Sequence, residues 1–277
     1  MPIFWNPPAT ESFRCYARNA FVGPGLSGNP AGIVFVQTWP SAARCWQLAR
    51  RLGYPETAFV RPGEAHREAP SYAIRWFYRG GEVQRCLHAT LAAASLLLAQ
   101  ASPPTRIGFH SPSAGRLTAQ QDSDLVWLAG RVPHYRLEEA PPTPKVPDAP
   151  GASLLVPAAG GVQLRVVPRP EEVAGWQPMP ATIRRSGLFG LGITAWSGGG
   201  PWDEDYVLRF VAPDKHPPED AVTGSLHAMV AHYWMRRSRR AQLTGRQLSS
   251  RGGLVYSQWG TMDTIALGGA CSTDGRR

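Results

Sequence analysis

Lysine is nearly missing from this 277-residue chain: Lys145 and Lys215 stand among 29 basic residues, so arginine carries almost all of a formal charge of +9. With so much alanine, glycine and proline, that imbalance reads as the drift of a GC-rich genome. The arginines are dispersed apart from Arg236, Arg237, Arg239 and Arg240, so solvated surface is expected and a nucleic-acid partner is not. There is no run of 18 apolar residues. The longest mostly apolar stretch, Leu91 to Ala99, is too short to span a bilayer, and no membrane association is expected. The first residues, MPIFWNPPAT, lack a basic stretch followed by an apolar core, so no secretory signal is expected either. The four cysteines (Cys15, Cys45, Cys86 and Cys271) include no CxxC and no close Cys/His ligand set. They are expected to be reduced thiols of a cytoplasmic protein, neither a disulfide framework nor a zinc site.

What is present describes a globular chain of many short elements. Apolar residues make up 43%, and 29 glycines and 27 prolines supply frequent turns. Apolar and polar residues alternate over 12–17, 32–37, 72–78, 124–129, 162–167, 206–211 and 261–267, which predicts strands. Three segments are predicted to be helical. Ser41–Leu52 opens on an N-cap serine and gathers Cys45, Leu48, Ala49 and Leu52 on one side. His88–Gln100 is apolar all round and so expected to be buried. Ser225–Arg240 places Leu226, Met229, Val230 and Tyr233 on one face and ends in arginines that suit a helix C-terminus. A segment with five prolines, Glu138 to Pro150, reads as a domain linker or a long surface loop.

A weak two-fold echo runs through this pattern. In each half a polar turn, CLHAT or EDAVTGS, leads directly into a buried helix. A helix N-terminus exposes unpaired N–H groups and partial positive charge, so two such ends suit a small anion. The small and hydroxyl residues there (Ala89, Thr90, Thr223, Gly224 and Ser225) are equally ordinary capping residues, and both readings stand. Glu56, in YPETAFV, is either a solvated carboxylate at a strand start or one desolvated enough to act as a general base. Cys86 and His88 are two apart and expected to point different ways, so the cysteine reads as packing. His227 and His232 have the wrong spacing for zinc on one helical face. GPGLSG at 23–28 matches GxGxxG formally but leads into a strand, which excludes a dinucleotide site. Ser197–Gly200 reads as a turn or mobile loop.

Seven segments in order, GNPAGIVF (28–35), ETAFV (56–60), IRWF followed by EV (74–83), CLHATLAAA (86–94), RFVAP (209–213), EDAVTGSLHA (219–228) and RGGLVYS (251–257), together resemble the PhzF-like family of phenazine biosynthesis. The resemblance implies an α/β fold like that of diaminopimelate epimerase. Such a fold has two pseudo-symmetric halves, each a mostly antiparallel sheet wrapped around a central helix, with the site in the cleft. The halves are then expected at 1–128 and 129–261, with 262–277 returning to the first. By the same resemblance Glu56 is the acid/base, and His88, Asp220 and Ser225 are the other catalytic positions. Leu87, Thr90 and Gly224 are expected to contact substrate. No cofactor or metal is implied. The expected reaction is a proton and double-bond shift in a small carboxylate-bearing substrate, a building block of a phenazine-like or modified-proline natural product, carried out by a homodimer.

The chain departs from the family pattern at three places. Leu87 stands where glycine is usual, Tyr78-Arg79 where Thr-Pro is usual, and Tyr16-Ala17-Arg18 carries no acidic residue. These leave the substrate open. A racemase or epimerase is the competing enzyme reading, but relatives of that kind use two opposed cysteines, and Asp220 occupies the second position. A non-catalytic small-anion binding protein is the competing reading from another class.

Overall fold

The computed structural model describes residues 13–64, 69–100, 105–139, 153–157, 161–198, 202–261 and 263–273. The chain divides into two compact units, residues 1–130 with 268–277, and residues 131–267.

In the first unit the elements are β1 (Arg14–Val22), β2 (Asn29–Phe35), α1 (Ala42–Leu52), β3 (Glu56–Pro62), β4 (Ser71–Tyr78), β5 (Gly81–Val83), α2 (Leu87–Leu98), β6 (Arg106–Ser111), β7 (Gly115–Asp122) and β8 (Leu125–Arg131). β2 and β3 are buried almost throughout. Their continuous apolar runs are therefore those of strands covered on both faces, not the alternation of half-exposed ones. One cover is α2, which packs against β1, β2, β3, β6 and β7. Ten of its twelve residues are buried, as an all-apolar helix requires. The other is α1, whose Cys45, Leu48 and Ala49 meet Val34, Phe59 and Phe77. Ser41 caps α1 by accepting from the Arg44 N–H, and Gly53 ends it in the left-handed conformation, φ 72°. The glycines of 23–28 form the tight turn of the β1–β2 hairpin, where Gly23 and Leu26 exchange backbone hydrogen bonds. Gly28 has φ 66°, and a Cβ there would lie 2.3 Å from the Ala20 carbonyl oxygen.

In the second unit follow β9 (Tyr135–Glu139), β10 (Ser153–Pro157), β11 (Val162–Val166), α3 (Pro170–Ala174), α4 (Pro180–Arg185), β12 (Gly190–Trp196), β13 (Tyr206–Val211), α5 (Gly224–Ser238), β14 (Gln242–Gln247) and β15 (Gly253–Trp259). The last strand, β16 (Thr264–Thr273), pairs with β1 in the first unit, from Arg18 opposite Thr273 to Val22 opposite Ala270. α5 is buried over most of its length and packs on β14 and β15. α3 and α4 cover β12, with Val173, Trp176 and Ile183 against Leu191, Ile193 and Ala195.

The two-fold echo is a repeat of topology. In the first unit β16–β1 and β1–β2 are antiparallel, β2–β3 parallel, β3–β4 antiparallel, β4–β6 parallel and β6–β7 antiparallel. In the second, β9–β10 and β10–β11 are antiparallel, β11–β12 parallel, β12–β13 antiparallel, β13–β14 parallel and β14–β15 antiparallel. The outer helices fill the first parallel crossover of each unit and the buried helices α2 and α5 fill the second.

The Pro-rich segment falls within the second unit, in the connection between the paired strands β9 and β10. Residues 140–150 of it lie outside the described residues, as do 199 and 200 of the expected glycine-rich turn. Among the described residues no helix is long and apolar enough to cross a membrane.

Candidate functional site

Glu56 is the first residue of β3, paired in parallel register beside Ala31 of β2. The left-handed Gly53 stops α1 three residues earlier and turns the chain into the sheet. Being set between β2 and β4 leaves the carboxylate only 2% exposed. His88 is the second residue of α2 and also buried. Its Nε2 stands 3.5 Å from Glu56 Oε2, within ion-pair reach but longer than a good hydrogen bond. Burial keeps bulk water from the carboxylate and leaves the imidazole as its neighbour, a group able to carry a proton.

One expectation for this helix start needs correction. Cys86 does meet His88: its Sγ lies 3.4 Å from Nδ1. Cys86 is the N-cap, with extended φ −144° and ψ 102°, so its side chain lies outside the helical spacing that would separate positions i and i+2. Thr90, expected to contact substrate, is also tied into the fold. Its hydroxyl donates to the Cys86 carbonyl (2.7 Å) and accepts from Trp76 Nε1 (3.1 Å), fastening the first turn of α2 to β4. Leu87 needs no left-handed backbone. It is the buried first residue of α2 and not among the positive-φ residues, so the freedom of a glycine is unused here.

The second unit builds a matching helix start at α5. Thr223 is the N-cap and, like Cys86, gives its helix no side-chain capping bond; Gly224 and the half-buried Ser225 are the first two helical residues. Asp220 is held by its own N–H to the Phe210 carbonyl (3.0 Å) and by Thr223, whose hydroxyl donates to Oδ2 (2.8 Å). Gln247, at the end of β14 and fully buried, spans the turn: Oε1 accepts from the Thr223 N–H (2.8 Å) and Nε2 donates to the Asp220 carbonyl (2.7 Å). Beside it Arg209 grips Glu219 through two hydrogen bonds, 2.7 and 3.1 Å. Behind the turn His227 meets the Tyr206 hydroxyl (2.8 Å) through Nδ1. Burial pushes the His227 pKa down to about 3, against a smaller pull from Gln247, so the ring stays neutral. Gln247 has no counterpart in the sequence reading, because its partners are 24 and 27 residues away.

The predicted positions therefore fall into two groups. Glu56, Leu87, His88 and Thr90 gather in the first unit, and Asp220, Gly224 and Ser225 in the second.

Residues 18–145 match the family described as PhzC-PhzF, phenazine biosynthesis-like protein. An uncharacterized isomerase of Pseudomonas aeruginosa is 34% identical over 241 residues, spanning 86% of this chain and 87% of that protein. The chain belongs to the PhzC–PhzF family. A second uncharacterized isomerase of that organism is 31% identical over 240 residues, 85% of this PhzC–PhzF protein and 86% of the relative. Among solved structures, the PhzF-family phenazine biosynthesis protein of Enterococcus faecalis aligns with TM-score 0.79 at 28% identity, covering 95% of this chain and 97% of that one. The fold extends to a probable proline racemase of Agrobacterium radiobacter, TM-score 0.61 at 12% identity, covering 95% and 92%. The expected family and fold are thus correct, and this PhzC–PhzF protein is an isomerase.

Proposed function

We propose that this PhzC–PhzF isomerase moves a proton, and with it a double bond, within a small unsaturated carboxylic or amino acid, using no cofactor, with Glu56 as the proton carrier. The observation that carries the reading is the buried Glu56 carboxylate facing His88 Nε2 at 3.5 Å. Glu56 takes a proton from an activated C–H and returns it at another carbon. His88 steadies the carboxylate and shares the proton. The charge left on the substrate spreads through its conjugated system into its own carboxylate. Oriented donors placed where that charge develops speed such a step. The resemblance names Asp220 and Ser225 as the further polar positions for this step.

A two-thiol racemase is disfavoured by a plain fact of the chain. All four cysteines lie in the first unit, and the second, residues 131–267, contains none. A thiol from each half is therefore impossible. The resemblance to phenazine biosynthesis supports a role on a natural-product building block, phenazine-like or modified-proline in type, and a homodimeric state readable by sedimentation.

The test begins with a panel of unsaturated carboxylic and amino acids, followed by NMR for migration of the double bond. On the substrate so found, Glu56→Gln keeps the shape of the side chain but cannot accept the proton. Its kcat is expected to fall by roughly 10²–10⁴-fold with the circular dichroism unchanged. Turnover at the wild-type rate removes Glu56 from the mechanism.

A further inference from the structure

Glu56, Cys86 and His88 are three different metal-ligating side chains, all buried, and one donor atom of each lies within 4.8 Å of the other two. Among the described residues no other such set of three occurs. The sequence conceals it, since Cys86-x-His88 brings only two donors and the third arrives from β3, thirty positions earlier. His88 Nε2 is 3.5 Å from Glu56 Oε2 and 3.9 Å from Cys86 Sγ. Donors bound at about 2.0–2.3 Å around a tetrahedral zinc ion stand about 3.3–3.6 Å apart, so the two pairs made by His88 are within a few tenths of an ångström of that spacing, and the third, Cys86 to Glu56, lies within 4.8 Å. The sulfur is nearer Nδ1 (3.4 Å) than Nε2. Shared coordination therefore asks for a turn of the imidazole about its Cβ–Cγ bond, a torsion with broad wells.

We propose that this triad is an inhibitory binding site for zinc or a comparably soft divalent cation. Thiolate and imidazole select zinc and cobalt over magnesium and calcium, which require oxygen donors. The charge also balances. As the S–metal bond forms, the Cys86 thiol releases its proton to solvent. One thiolate and one carboxylate then cancel the two positive charges, so the buried complex is neutral and avoids the cost of an unpaired interior charge. Three protein ligands leave a fourth position for water or a substrate carboxylate. The ion occupies the lone pairs of Glu56 and His88, and neither can then handle a proton. The inhibition, though not the binding, rests on the reading of Glu56 as the proton carrier.

The test is titration of the chelator-stripped protein with Co²⁺. Expected are one equivalent bound, a thiolate-to-cobalt charge-transfer absorbance in the near ultraviolet, displacement by Zn²⁺, and loss of turnover at the same occupancy. Cys86→Ser and Cys86→Ala, each checked for native circular dichroism, are expected to abolish the absorbance and weaken binding at least tenfold. Absence of the band from wild type, or its persistence in both variants, overturns the site. Full turnover by zinc-loaded protein overturns the inhibitory role. The catalytic reading is judged apart from this by Glu56→Gln, because the cobalt band reports binding whether or not Glu56 is the proton carrier.

Discussion

Glu56 and His227 are both buried groups able to hold a proton, and their neighbours set them to different tasks. Glu56 faces a second titratable group, His88, whereas His227 meets the Tyr206 hydroxyl and is kept neutral by burial, which drives its pKa to about 3. An unfolded chain restores the histidine to about 6.5. Between those values the unfolded state binds the extra proton, so stability rises with pH. The contribution of His227 is whole above about pH 6.5 and is lost as pH falls toward 3, with a slope of at most about 1.4 kcal/mol per pH unit. Denaturant unfolding of wild type and His227→Asn at a series of pH values checks this. The variant is expected to lose stability less steeply on acidification, and parallel slopes would remove His227 from the acid response. Single residues were legible in the sequence where a motif surrounds them, as for Glu56 and His88. Cys86 was misread because helical spacing was applied to a residue that is the helix cap.

The two buried helices were legible as elements because their composition leaves them nowhere but the core. α2 begins at Leu87 against an expected His88, and α5 at Gly224 against an expected Ser225. β12 is buried almost throughout and shows no alternation, β6, β7 and β14 alternate over only one or two apolar side chains each, and the short α3 and α4 have too few turns to show a period. Gln247 shows how one strand end disciplines a helix start. Replacing it with methionine of similar length leaves the Thr223 N–H and the Asp220 carbonyl without their side-chain partner. Gln247→Met is expected to cost about 1–3 kcal/mol in unfolding free energy. It should also lower kcat/KM at temperatures where the protein is fully folded. A stable variant with wild-type kcat/KM would show that the turn holds its shape without Gln247.

Across the whole molecule the repeat was visible in the sequence only as two polar turns entering two buried helices, because nothing else in the halves looks alike. Strand direction reveals it, and direction is not written in composition. The same pairing order gives β16 a specific duty: it supplies the first unit with the strand that β9 supplies to the second. Residues 1–130 made alone should therefore expose the edge of β1 and be poorly folded or aggregated. A peptide of residues 264–273 added during refolding is expected to raise the folded yield, read by circular dichroism and gel filtration. A fragment that folds fully without it would make the β16 strand dispensable. Inside the cell this places a timing constraint on synthesis. The first 130 residues leave the ribosome early but wait through some 140 more before the edge of β1 is covered. At about 5–20 residues per second that wait lasts roughly 7–28 seconds. During it the second unit, contiguous from 131 to 267, gathers its own strands, so the half that is translated later is the first to be completed.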